Sequence, residues 1–301
     1  MVRSPDQHVT GLRVHLIDGT YELFRYFHAM PSHVNEAGEE VSAVRGVLGS
    51  LVGMLGDGAT HVGVATDHVI ESWRNDLWAT YKDGSGIDPT LWAQFPLLED
   101  ALTAAGFRVW AMVEDEADDA LGAAALVASA DERVEQALIC TPDKDLGQCV
   151  GGKVVQLDRR KGIVYDADGV EAKFGVRPES IPDYLALVGD SADGFPGLVG
   201  WGARSAAIVL RRYVHLEDIP DAPGQWDITV RGATALARTL AAHRDEALLF
   251  RTLATLRTDC EVGTVDEWRW TGPTEELPAM ATRLDQPDLV RRIDVLARGR
   301  T

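Results

Sequence analysis

Acidic residues recur in this chain wherever a short apolar run gives out. Asp18 closes the run Arg13–Ile17, Asp67 closes His61–Thr66, and Glu116, Asp118 and Asp119 follow Phe107–Val113. Asp143 and Asp145 come just after Ala137–Thr141, and Asp190 and Asp193 open a later helical part. These nine carboxylates, if drawn into one cleft, repel each other strongly unless divalent cations neutralise them. Ligation by oxygen alone suits magnesium or manganese rather than zinc. Two such ions about 4 Å apart can activate water, hold a scissile phosphate and stabilise the leaving oxygen. The indicated chemistry is metal-assisted hydrolysis, in which the metals reverse the local charge and make a polyanionic substrate acceptable.

The apolar runs themselves read as strands, with a fifth at Val154–Leu157 and a hairpin-like Asp158–Val164 after it. Helical spacing fills the gaps at Val41–Leu55, at Leu91–Ala104 before Gly106, and from Glu116 to about Ala130. Strands alternating with helices predict a mostly parallel, doubly wound α/β sheet, whose strand ends share one edge where sites form. From Arg177 the strand signal fades. Pro178–Val188, Ala203–Tyr213, Ala233–His243 and Asp245–Thr258 read as helices, and the tail after Glu261 carries no clear pattern. The expected division is a catalytic domain over 10–175, a helical subdomain over 176–260 and an extension over 261–301.

Local geometry limits the roles. Glu116 and Asp119 share a helix face if the helix includes Glu116, and that constraint lapses if Glu116 lies in the preceding loop. In an extended segment Asp143 and Asp145 point one way and Lys144 the other.

Composition sets a tension. The formal net charge of −18 argues against a simple nucleic-acid binder, because polyanions are normally held by excess Lys and Arg. Cys140, Cys149 and Cys260 form neither an even framework nor a C-x-x-C pair, so neither a disulfide scaffold nor a structural zinc is expected. The chain has no run of eighteen apolar residues, and MVRSPDQHVTG has no signal-peptide pattern, which predicts a soluble cytoplasmic protein.

Five blocks in order resemble the 5′-nuclease family of bacterial flap endonucleases, the 5′-nuclease domain of DNA polymerase I, and their phage and eukaryotic relatives. They are LIDGTYELFRYFHAMP (16–31), ATDHVIESWRNDLWATYK (65–82), EDEADDALGAAALVA (114–128), TPDKDLGQCV (141–150) and LVGDSADGFPGLVGWGARSA (187–206). The resemblance implies a PIN-like 5′-nuclease fold with a helix–three-turn–helix subdomain and an arch at about 81–95. It implies that Asp18, Asp67, Glu116, Asp118, Asp119, Asp143, Asp145, Asp190 and Asp193 ligate metal directly or through an outer shell. Asp18, Asp67, Glu116 and Asp118 would favour the catalytic ion, and Asp143, Asp145 and Asp193 the second. It also implies that Arg25, Arg74 and Lys82 contact substrate phosphates, and a lysine beside metals can stabilise developing charge.

The segment Gly197–Ser205 is similar to the family's glycine hairpin, with Gly200, Trp201, Gly202, Arg204 and Ser205 at the duplex, Arg211 and Arg212 in support, and room for a potassium ion. Glycines let backbone N–H groups approach a phosphate, and a following helix adds its positive end. Four residues depart from the family pattern: Ser85 for an arginine, Phe24 for a tyrosine, Pro142 for a small residue and Gly194 for an asparagine. None removes a ligand, so they bear on substrate preference.

The resulting expectation is a free-standing, monomeric DNA 5′-nuclease acting at flaps, nicks and 5′ ends, RNA primers included. It would use Mg2+ or Mn2+ and leave a 5′-phosphate and a 3′-hydroxyl. Three rivals stand beside it: a PIN-type ribonuclease, a junction-binding protein without turnover, and a haloacid-dehalogenase-type phosphatase echoed by LIDGT. The last needs a nucleophilic aspartate two positions before Asp18, where this chain has Leu16.

Overall fold

The computed structural model of the protein describes residues 11–300, so the N-terminal stretch read above for a signal pattern lies almost wholly outside the described residues. In chain order come β1 (Leu12–Asp18), α1 (Gly19–Ala29), α2 (Ser42–Gly56), β2 (His61–Asp67) and α3 (Trp73–Leu77). Next are α4 (Pro89–Trp92), α5 (Gln94–Ala104), β3 (Arg108–Met112), α6 (Ala117–Ala130), β4 (Val134–Cys140), β5 (Val154–Asp158) and β6 (Ile163–Tyr165). Seven helices follow: α7 (Ala167–Phe174), α8 (Ile181–Val188), α9 (Ala203–Tyr213), α10 (Ala233–Ala242), α11 (Arg244–Ala254), α12 (Leu277–Arg283) and α13 (Asp288–Arg298).

These elements form two compact units, each discontinuous in sequence. Among the described residues one holds 11–70, 84–141 and 258–300, and the other holds 71–83 and 142–257. The first unit contains four parallel strands ordered β3-β2-β1-β4, with Val14 opposite both His61 and Ala137, and Val64 opposite Val109. The mostly parallel sheet expected from the strand–helix alternation is thus present. β2 is buried along its whole length, which is why it reads as a continuous apolar run. Parallel register puts the ends of β1 and β2 on one edge, with Asp18 opposite Ala65 and Asp67 opposite Met112.

Two local features depart from the periodicity. The helix expected over 91–104 is broken at Ala93 into α4 and α5, and Pro96, lacking an N–H and crowding the carbonyl four residues back, accounts for the break. Val41 has no side chain able to cap α2. The fully buried Gln94 does so instead, its Oε1 accepting from Ala43 N–H at 3.1 Å and Val44 N–H at 3.3 Å.

The patternless tail also has a job. Trp268 packs edge-on to Trp110 with centroids 5.5 Å apart, and both indole N–H groups donate to the Val262 carbonyl. Trp270 donates its backbone N–H to Thr60 and its indole N–H to Ala105, each at 2.8 Å. Residues 258–300 are therefore part of the sheet unit, fastened by tryptophans whose burial is worth several kcal/mol each by area.

The second unit gathers α8, α9, α10 and α11 around Leu185, Phe195, Leu210 and Phe250, and carries β5 and β6 as an antiparallel pair. No helix among the described residues is long and apolar enough to cross a membrane.

A Cβ on Gly63 of β2 would overlap the Trp110 ring. Gly63→Val is therefore expected to lower unfolding free energy by roughly 1–3 kcal/mol, read from the urea midpoint, and an unchanged midpoint would contradict this packing.

Candidate metal centre and nucleic-acid interface

In the sheet unit hydrogen bonds orient the acids. Asp18 caps α1, one oxygen accepting from Tyr21 N–H at 2.7 Å, while the other accepts from the Thr141 hydroxyl at 2.8 Å. Asp67 accepts from Ala117 N–H at 2.8 Å, which ties the end of β2 to the start of α6. Glu116 is the N-cap of α6 and not part of its helix, so the looser of the two geometries anticipated for it applies. It and Asp119 form a reciprocal capping box, with Glu116 N–H donating to Asp119 at 3.1 Å. Asp18, Asp67, Glu116 and Asp119 are all buried, at 6% exposure or less, and Asp118 is half-buried. Their placement follows from strand ends and one helix start at a common edge.

In the second unit Asp145, Asp190 and Asp193 each present a carboxylate oxygen, and these oxygens lie within 4.8 Å of one another. Asp145 is 5% exposed, and its Oδ1 is buried with no hydrogen-bond partner among the described residues. Burial, reinforced by Asp143, Asp193 and Asp190, pushes its carboxyl well above the usual carboxylate range. An all-oxygen trio with an orphaned buried oxygen fits a hard divalent cation. Asp143 is exposed and accepts from Asp145 N–H at 3.0 Å, so it stands beside the trio.

Lys144 is the residue that sequence reasoning passed over. The Asp143–Asp145 segment is not extended, because Lys144 has helical dihedrals and a 3-10 turn starts at Asp145. The lysine consequently reaches Asp190, with Nζ 2.5 Å from Oδ2. Burial works against its charge, but the pairing with Asp190 and the fields of Asp145 and Asp143 raise its pKa overall. The only signal available was a cation placed between two acids. Lys82 Nζ stands 3.4 Å from Asp193 Oδ1 in the same unit.

The glycine-rich turn before α9 is open. Gly197 and Gly200 have positive φ, and no atom lies within 4 Å of a Cβ built on Gly200 or Gly202. Ser205 closes the first turn of α9 by accepting from Gly202 N–H at 3.1 Å. A hollow of about 380 Å³ is lined here by Gly200, Gly202, Arg204, Ser205, Val230 and Arg231, with Arg204 exposed.

Family models match this chain almost end to end. The N-terminal, resolvase-like domain of the 5′-3′ exonucleases matches residues 13–175, and their C-terminal SAM fold matches residues 176–276. The chain belongs to the 5′-3′ exonuclease family. The 5′-3′ exonuclease of Aquifex aeolicus is 32% identical over 208 residues, which covers 68% of this chain and 71% of that protein. DNA polymerase I of Pseudomonas aeruginosa is 34% identical over 257 residues, 82% of this chain but 27% of the polymerase, so the chain spans about a quarter of that relative. Among solved structures, the T5 D15 protein co-crystallised with metal ions shares the fold at a TM-score of 0.64 and 19% identity, covering 95% of this chain and 99% of the other.

Against that family background, five basic or aromatic residues are engaged within the protein. Arg74, expected at a phosphate, is 1% exposed and donates from Nε to Leu253 O at 2.7 Å and from Nη2 to Thr255 O at 3.1 Å, so it clamps the end of α11 from inside. Trp201 is 7% exposed and sits beside Trp226 in the helical core, which leaves its backbone rather than its ring to meet a duplex. Arg212 is paired with Asp227 at 2.6 Å and Arg211 with Glu171 at 3.7 Å, so neither charge is uncommitted. Arg25 is bonded to the buried Glu22, which outweighs burial and raises its pKa.

Two outcomes follow. Arg74→Met removes the donor to the buried Leu253 carbonyl and one to Thr255 O and should lower stability by roughly 1–3 kcal/mol, by heat or by urea; a variant of wild-type stability with only weakened DNA binding would return Arg74 to the interface. In EDTA, Asp145→Asn removes a buried like charge and should raise the melting temperature by roughly 2–4 °C. A fall in melting temperature would contradict the electrostatic reading of the trio.

Proposed function

We propose that this 5′-3′ exonuclease family member is a structure-specific DNA 5′-nuclease. It uses Mg2+ or Mn2+, probes the junction of single strand and duplex at flaps, nicks or 5′ ends, and leaves a 5′-phosphate and a 3′-hydroxyl. The observation that carries the metal dependence is the trio Asp145, Asp190 and Asp193, with its orphaned buried oxygen. Divalent ions held by such carboxylates would supply Lewis acidity for activating water and stabilising a leaving oxygen.

The chain's own residues do the rest. Asp18, Asp67, Glu116 and Asp118 hold one ion, and Asp119 positions Glu116 through the capping box. Asp145, Asp190 and Asp193 hold a second, with Asp143 in the outer shell and Lys144 balancing the charge of Asp190. Lys82 and Arg25, the latter set by Glu22, meet substrate phosphates. Gly200, Gly202 and Ser205 offer backbone N–H groups and a helix start to a duplex phosphate, with Arg204 alongside, a contact blind to sequence. Gly200 and Gly202 also leave space for a potassium ion in this turn. Most of the catalytic acids belong to the segment 10–175, with its arch at about 81–95, and duplex binding to 176–260, which also lends Asp190 and Asp193 to the second ion. The protein works as a cytoplasmic monomer in primer removal, flap trimming or repair.

The test is product mapping on double-flap, nicked and blunt DNA and on matched RNA, with magnesium, manganese or chelator. Cleavage is expected at DNA junctions with either metal and none with chelator. Asp145→Asn should lose at least about 100-fold in turnover while still binding the flap. Preferred cleavage of RNA, or turnover in chelator, would overturn the proposal.

A further inference from the structure

The loop that carries Asp190 and Asp193 is a tight bridge. Asp190 N–H donates to Phe195 O at 2.8 Å, Gly194 N–H and Phe195 N–H donate back to Asp190 O, and the Asp190 carboxylate accepts from Ala192 N–H. These bonds shape the loop and tie Gly194 N–H to Asp190 O, while the carbonyls of Asp193 and Gly194 are turned to another segment, residues 78–82. The Trp78 indole N–H donates to Gly194 O at 3.1 Å, the Thr80 hydroxyl donates to the same oxygen at 3.2 Å, and Lys82 N–H donates to Asp193 O at 3.0 Å.

The segment making these bonds is itself anchored. Asn75 donates to Lys82 O at 3.1 Å and caps α3 with Ser72, Tyr81 is buried, and the Trp78 ring packs edge-on to Phe250 at 5.1 Å. Phe250 stacks in turn on Phe195 at the loop's far end. Gly194 explains why the approach is so close. It has φ of 83°, and a Cβ there would run into the Thr80 carbonyl. This is the position where the family resemblance leads one to expect asparagine, and glycine lets the two backbones touch.

We infer that Trp78, Thr80 and Gly194 are positioning residues that set Asp193 for metal binding. The inference rests on the reading of Asp145, Asp190 and Asp193 as cation ligands. Residues 78–82 form a strap whose last member, Lys82, also faces the Asp193 carboxylate at 3.4 Å. The strap contributes by pre-arranging a ligand, so its loss weakens the cation more than it weakens DNA.

The test is Mn2+ binding to the full chain, followed by electron paramagnetic resonance, in wild type, Trp78→Phe/Thr80→Val, Thr80→Val alone and Gly194→Ala. The double variant keeps the ring and removes both donors to Gly194. It should weaken Mn2+ binding about tenfold, and the exposed single Thr80→Val about threefold, as expected for roughly 1 kcal/mol or less per net hydrogen bond. Turnover should fall with KM for DNA changing less than about twofold. Trp226→Phe, which removes the indole bond to Pro220 elsewhere in the same unit, controls for stability and should bind Mn2+ as wild type does. Wild-type Mn2+ affinity in the strap variants, or an equal loss in Trp226→Phe, overturns the strap alone. A wild-type chain that binds no Mn2+ overturns the metal reading and the strap together.

Discussion

The structure is organised around charge that the fold cannot neutralise with its own atoms. Burying one carboxylate is costly, and burying several within hydrogen-bonding distance of each other is costlier still. Asp145 and Asp190 are buried and Asp193 half-buried, and Lys144 meets Asp190 while Lys82 meets Asp193. Elsewhere the chain avoids that cost. Buried Asp183 is met by His215, Leu216 N–H and Arg251, and buried Glu22 by Arg25. On the proposed function, the contrast separates acids that complete a structure from acids kept for a cation. On the same reading, bound cations would reconcile the net charge of −18 with a polyanionic substrate.

Positioning such acids needs two different devices. In the sheet unit, parallel register does most of the work, because strands that start together end together and expose their terminal residues on one edge. Bonds from Thr141, Ala117 N–H and Glu116 N–H then orient the carboxylates. In the helical unit these acids lie outside its strands β5 and β6. A six-residue bridge from Asp190 to Phe195 and a 3-10 turn at Asp145 hold the ligands, and backbone contacts take over the role of register.

Much of this was legible from residue order. Apolar runs ending in Asp marked β1 and β2, and α9 was bounded as its spacing suggested, from Ala203 to Tyr213. What residue order hides is depth. Arg74 and Arg204 look alike in a string, yet one is buried against carbonyls and the other lines an open hollow. Trp201 sits among glycines that suggest a surface turn, while its ring points into the core. α1 escaped because its buried positions include Gly19 and Glu22, and its aromatics are only half-covered. The tail was unreadable for a related reason: tryptophans fix it through long-range contacts with Thr60, Ala105 and Trp110, which no local period announces.

The tryptophan fastening has a temporal consequence. The sheet begins at Leu12 and its fourth parallel strand ends at Cys140, but the Val262 carbonyl that receives the indoles of Trp110 and Trp268 lies far downstream. During synthesis, Trp110 and the sheet edge it covers must wait, uncapped, for about 150 further residues to leave the ribosome, several seconds to tens of seconds at ordinary elongation rates. An unfinished sheet with an exposed aromatic is a natural client for a chaperone, so the nascent chain is most vulnerable to aggregation in the interval between Cys140 and Trp270.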